Sequence, residues 1–231
     1  MLSVVILTFN SQRYLREVLK SVEFANEVIV IDSGSSDDTA KICSEFKNVK
    51  FHYQAWLGFG KQKQFGVNLA GNDWVFVLDS DEIILPPLRD EINEILKEPK
   101  FMAYRAPRLN LFFGKEVRNM GLYPDFSVRL FDRTHAKFNG REIHEKVVVD
   151  GETGELKNPF LHHAYESIEQ FIDKQNRYSS LGARRNKFKA VLHPAWTFFR
   201  LFFLKGGWRE GWRGYVIARL YAQYTFWKYI K

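Results

Sequence analysis

A chain of 231 residues with 45% apolar side chains is long and apolar enough to bury one good-sized core, which excludes general disorder. Its one cysteine, Cys43, allows no internal disulfide and no C-x-x-C occurs, so disulfide scaffolds and zinc fingers are excluded and a reducing cytosolic setting is expected. The net charge of +7 is uneven: residues 174–231 carry 13 Lys or Arg against the acid Glu210, a balance of +12, while the rest, with 21 basic and 26 acidic residues, stands at −5.

The opening "MLSVVILTFN" has no basic region before its apolar run and no small-residue cleavage site, so it reads as a first strand rather than a signal peptide. Strands are predicted at residues 3–7, 27–31, 49–53 and 74–78, and helices between them at 11–24, 37–46 and 61–70. Such alternation builds right-handed βαβ units and a parallel sheet, whose ligands bind beyond the carboxyl ends of the strands. Three of those ends carry unusual residues: "LTFN", "IDSGSSDDT" and "LDSDE" are expected to converge on one crevice. In "WLGFGKQKQ", Gly58 and Gly60 can form a phosphate-cradling turn with Lys61 or Lys63 nearby, or a plain loop; no P-loop and no dinucleotide fingerprint occurs.

After Pro86 and Pro87 a helix is predicted at 88–96. The stretches "FMAYRAPRLN", "SVRLFDR", "REIHEKVVVD" and "PFLHHAY" then read as strands completing the sheet and a smaller lobe. Helical spacing returns with Ile168, Phe171, Ile172 and Tyr178 on one side. The tail "HPAWTFFRLFFLKGGWREGWRGYVIARLYAQYTFWKYIK" interleaves Arg and Lys with Trp, Tyr and Phe, the pattern of a helix pair at an anionic membrane surface. Its aromatics are too dense and its polar face too thin for a nucleic-acid groove. A helical pair packed onto the domain is the plain alternative, and the last segment shows no clean stripe. No apolar run reaches the roughly 18 residues of a membrane-spanning helix. The expected division is a catalytic domain at 1–190, with a nucleotide-binding half at 1–100 and an acceptor half at 101–190, and a basic aromatic helical segment at 191–231.

The run "WVFVLDSDEI" ends a strand buried on both faces in Asp79, Asp81 and Glu82, and unpaired carboxylates are costly to bury, so something positive should meet them. Two Asp residues flanking one residue at a strand end suit a hard divalent cation that shares its coordination with phosphates.

Taken in order, "SVVILTFN", "VIVIDSGSSDDT", "GFGKQKQFGVNLAGNDWVFVLDSDE", "GREIHEKV" and "LHHAYESIEQFIDKQNRYSSLGA" resemble the family 2 inverting glycosyltransferases of the GT-A fold, and are similar to their lipopolysaccharide-core β-1,4-glucosyltransferase group. The resemblance implies an α/β fold, a Rossmann-like and mostly parallel sheet flanked by helices, followed by a C-terminal helical membrane-associating segment. It implies a UDP-sugar donor held by Thr8, Phe9, Asn10 and Asp32, with Lys61 and Gln64 in the same nucleotide-binding set. Asp79 would face ribose and metal, and Asp81 would ligate Mn²⁺ or Mg²⁺, with His162, or its neighbour His163, as a further metal ligand or diphosphate contact. Phe9 departs from the tyrosine often found in the first motif.

An acceptor hydroxyl has a pKa far above 7 and needs a base on the far side of the sugar ring. Glu145 in "REIHEKV" is the candidate base and His144 its runner-up; pairing of Glu145 with Lys146 or Arg141 on a surface strand is the plain alternative. The activity so implied is metal-dependent transfer of a hexose, glucose, to a lipid-linked saccharide such as lipopolysaccharide inner core, on the cytosolic face of the inner membrane. Alternatives are a polyprenol phosphate or polypeptide acceptor, a nucleotidyltransferase making sugar nucleotides, and a non-catalytic membrane-surface module.

Overall fold

β-Branched runs broken by helix-spaced segments shape the first half of the chain. A computed structural model describes residues 1–139 and 145–231. The elements are β1 (Leu2–Thr8), α1 (Gln12–Ser21), β2 (Glu27–Asp32), α2 (Thr39–Ser44), β3 (Val49–Tyr53), α3 (Phe59–Leu69), β4 (Trp74–Asp79), β5 (Glu82–Ile84), α4 (Pro86–Ile95), β6 (Ala103–Phe112), β7 (Lys115–Glu116), β8 (Asp125–Asp132), β9 (Ala136–Phe138), β10 (Val147–Val149), β11 (Thr153–Glu155), β12 (Phe160–Tyr165), α5 (Ile168–Leu181), α6 (Lys187–Phe199) and α7 (Trp212–Ile230). They divide into one unit of residues 1–108 and 126–162 and a second of residues 109–125 and 163–231, with the borders falling inside β6, β8 and β12.

In the first unit β3, β2, β1 and β4 pair in parallel, and Thr8 stands beside Asp32 and Leu7 beside Asp79 at their carboxyl ends. Alternate side chains of β1 serve two cores. Val4 and Ile6 pack with Leu15, Leu19, Leu88 and Ile92 from α1 and α4. Val5 and Leu7 face the other way, with Val67 of α3 and Ala70 just after it. At Gly66 the helix lies so close to the sheet that an added Cβ would overlap Val5 Cγ1 and stand 3.0 Å from Ile31 Cγ1.

The expectation of a mostly parallel sheet holds for this half and not beyond it. From β4 the order runs on through β8, β6, β12 and β5, with β8 antiparallel to β4 and β12 antiparallel to β5. Antiparallel strands need no crossover helix, and none interrupts the chain from β6 to β12 among the described residues. Helix α2 is shorter at both ends than predicted. Asp37 Oδ1 accepts bonds from Thr39 N and Thr39 Oγ1, a local turn that competes with an earlier helical start.

The second unit has its own core, in which Phe112, Tyr165, Phe171, Leu201, Ile217 and Ala218 come together. The structure therefore groups α5 and residues 109–125 with the tail, where the sequence suggested a boundary near 190. Phe171 of α5 is the reason: its ring meets Tyr165 at 4.5 Å and Tyr221 of α7 at 5.2 Å. A π-helical turn, Arg200–Leu204, continues α6, and Gly206 turns the chain in the left-handed region at φ +74°. Among the described residues no helix is long and apolar enough to cross a membrane.

Candidate active site

Three loops leave the carboxyl ends of β1, β2 and β4, and hydrogen bonds lace them together. Asp32 is buried at the end of β2; its Oδ1 accepts from Gly34 N at 2.9 Å and Ser35 N at 2.8 Å, and its Oδ2 from Thr8 Oγ1 at 2.9 Å and from Ser35 Oγ. Asn10 takes a left-handed φ of +49°, which Asn tolerates better than most residues; its backbone N–H donates to Ser35 Oγ and its Oδ1 accepts from Ser36 N. Ser11 Oγ lies 2.8 Å from Ser80 Oγ, tying the first loop to the D-x-D segment. Phe9 stands 62% exposed on the rim. The convergence read from the sequence is thus present for Thr8, Asn10 and Asp32, while the exposed Phe9 bonds within its own loop, its N–H donating to Ser11 Oγ.

The positive groups demanded by the acidic run are Lys63 of α3 and Arg129 of β8. Lys63, only 7% exposed, stands 3.1 Å from Asp79 Oδ1 and 3.2 Å from Glu145 Oε1. Arg129 meets the fully buried Glu82 at 2.7 Å, donates to Val77 O at 3.1 Å and reaches Asp79 Oδ2 at 4.0 Å. Burial alone would raise the Asp79 pKa, but the charges of Lys63 and Arg129 outweigh it and hold the carboxyl well below the usual range. Glu82 goes the other way: burial and the negative Asp79 raise its pKa against the opposing pull of Arg129. Burial pushes the Cys43 thiol up to about 12, with Asp32 adding to the effect, which leaves it unreactive.

Lys63, Asp79, Arg108, Arg129, Glu145 and Lys146 line one cavity of about 450 Å³ in this unit. Asp79 and the candidate base Glu145 therefore share a wall, with the Lys63 ammonium between them. Glu145 pairs with Lys63. His144 and Arg141 lie outside the described residues.

Asp81 Oδ2 is 3.6 Å from His162 Nε2, which places an oxygen and a nitrogen donor side by side, the first partly exposed and the second mostly covered. That pair fits a divalent cation drawing its other ligands from diphosphate oxygens and water. Asp79 does not join them in a ready cage: among the described residues no three His, Cys, Asp or Glu side chains gather to hold a metal, because Asp79 is engaged by Lys63 and Arg129. His163 belongs to the other unit and, next along β12, alternates to the opposite face from His162.

Of the nucleotide-binding set Asp79 lines this cavity, and Thr8, Phe9, Asn10, Asp32, Lys61 and Gln64 do not. Lys61 is exposed and is not on the wall that Lys63 lines. Gln64 is occupied in holding α3 to β9: its Oε1 accepts from Phe138 N at 2.7 Å and its Nε2 donates to Asn68 Oδ1. Helical spacing carried the missing signal, since Lys63 shares a face with the buried Gly66, Val67 and Ala70 and Lys61 does not. Arg129 was equally visible as a lone charge within the apolar run "VRLF".

Residues 3–146 match the family model described as "Glycosyl transferase family 2". The chain is 29% identical over 240 residues to the lipopolysaccharide core biosynthesis glycosyltransferase LpsC of Rhizobium meliloti, covering 97% of this chain and 89% of that protein. It is 28% identical to an uncharacterized glycosyltransferase of Rickettsia typhi, over 96% of this chain and 82% of the other. In fold it is similar to S. aureus TarS 1-349 in complex with UDP, with a TM-score of 0.54 at 17% identity, covering 99% of this chain and 88% of that one. The UDP-GlcNAc complex of the same protein gives 0.53. With a GT-A-like sheet, three laced carboxyl-end loops and a family match across most of the first unit, the chain belongs to glycosyl transferase family 2.

Proposed function

We propose that the chain moves a hexose, glucose, from a UDP-sugar to a hydroxyl of a lipid-linked saccharide of the lipopolysaccharide core, with inversion at the anomeric carbon. The observation that carries this reading is the bridge of Lys63 between Asp79 and Glu145 on one cavity wall, which supports Asp79 as the donor-side carboxylate and Glu145 as the base acting on one bound sugar. The name of LpsC supports the acceptor class, and the fold shared with TarS, described in complex with UDP, supports the donor.

Thr8, Phe9 and Asn10 would hold base and ribose in the cleft beside β1. Asp32 already receives two donors on each oxygen, so a uracil N–H reaches it only in place of a hydroxyl such as that of Ser35, and its main work is to shape the loop. A divalent cation, Mn²⁺ or Mg²⁺, held by Asp81 with His162, would supply positive charge beside the leaving diphosphate. Glu145 takes the acceptor hydroxyl proton as that oxygen attacks the anomeric carbon, and Lys63 keeps the carboxylate in place before the acceptor arrives. Residues 191–231 would keep the enzyme peripheral on the cytosolic face of the inner membrane, where a lipid-linked acceptor is concentrated.

A screen of UDP-, GDP- and ADP-sugars for nucleotide release, with Mn²⁺ and lipopolysaccharide core acceptor, tests the reading. UDP-glucose should turn over and the signal should fall to background in EDTA or in Asp81→Ala. Full turnover of Asp81→Ala in excess EDTA would overturn the metal assignment, and release of GDP or ADP alone the donor.

A further inference from the structure

Within the second unit, α6 and the π-helical turn after it bury one side and leave the other uncovered. Ala190 is buried, and Leu201 packs into the core of the unit. On the opposite side Phe188, Val191, Leu192, Trp196, Phe199 and Phe203 recur at intervals of one, three or four residues, and their exposure runs from 45% for Phe199 to 75% for Phe188. Spacing of this kind puts them on one stripe about four turns long. A stripe of six large apolar side chains is far more than scattered surface apolarity.

Charge completes the pattern. Lys187, Lys189 and Arg200 are exposed and, by helical spacing, flank the stripe on both sides. The acid of this region, Glu210, is turned inward: its Oε1 accepts from Arg118 N, Asn119 N and Asn119 Nδ2. A row of aromatic and aliphatic side chains edged by cations, with its carboxylate withdrawn, matches the boundary between acyl chains and anionic headgroups. Protein partners of comparable apolarity offer no reason for cations along both edges.

Resting on the peripheral-membrane reading above, we infer that the α6 stripe is the surface that enters an anionic bilayer, lying flat in the interface with Lys187, Lys189 and Arg200 at headgroup level. α7 has a different job. It packs against α5 and α6, with Arg184 N and Asn186 N donating to Lys228 O and Tyr229 O and Thr197 meeting Thr225, so it braces the stripe from behind.

The test is flotation of the full chain with vesicles of phosphatidylglycerol in phosphatidylcholine and with phosphatidylcholine alone, beside the triple variant Trp196→Ser, Phe199→Ser, Phe203→Ser. The full chain should float with the anionic vesicles, and binding should fall at about 1 M salt, where the screening length is near 3 Å. The triple variant should bind at least about tenfold more weakly. Unchanged circular dichroism and an unchanged urea midpoint would show that it is folded. Turnover on a delipidated, water-soluble core saccharide should be the same in both proteins, which separates failure of the membrane surface from failure of the catalytic reading. Undiminished flotation of the triple variant would overturn the inference, as would a dimer that the variant dissociates while the full chain ignores vesicles.

Discussion

Lys63 joins two carboxylates of the cavity, because its ammonium is shared by Asp79 and Glu145. If Glu145 is the base, Glu145→Gln should leave UDP affinity by calorimetry within about twofold while turnover falls by roughly 10²-fold or more, the usual cost of losing general base catalysis. Turnover equal to that of the native enzyme would move the search to His144. Arg129→Met tests the structural side of the same cluster. It strands Glu82, whose side chain is 0% exposed, so urea unfolding should show a loss of about 3–5 kcal/mol, as for other buried pairs with one partner removed. At this scale the acidic run, the three loop motifs and Glu145 were legible because they are unusual in sequence. Lys63 was named only as an alternative to the equally basic Lys61, and only the helix face it shares with Gly66 and Val67 tells them apart.

Elements read well where periodicity and turn chemistry agree. β1 to β4 and their helices stand where alternating apolar runs put them, to within a few residues at helix ends. The mixed second half of the sheet was not legible, since short strands such as β9, β10 and β11 carry no more than three residues of pattern each. α7 shows no stripe for a physical reason: it contacts both α5 and α6 and is therefore apolar on more than one side. Gly66→Ala probes the closest approach between elements. Its Cβ would overlap Val5, so the α3 contact must open, and a destabilisation of about 1–3 kcal/mol by urea unfolding is expected. An unchanged midpoint would mean that α3 shifts freely on the sheet.

At the scale of the whole molecule, acid should act through carboxylates whose pKa values folding lowers. Asp79 is one, and Glu27 is another: burial raises its pKa but Lys50, Ser3 and the Gly71 N–H lower it more. Both contribute stability above the unfolded-state value near pH 4, and that contribution is lost as pH falls through this value toward their folded-state values. Glu82, raised by burial, has the opposite sign and offsets part of the loss. The urea midpoint should therefore drop between about pH 5 and pH 3, and less steeply in Asp79→Asn than in the native chain. A midpoint independent of pH would contradict this assignment. The central claim is a single displacement at the anomeric carbon with Glu145 on the acceptor side, and the stereochemistry of the product tests it most directly. Proton NMR of the saccharide formed from UDP-α-glucose should show a newly formed β linkage, whereas an α linkage would mean retention and would contradict the account.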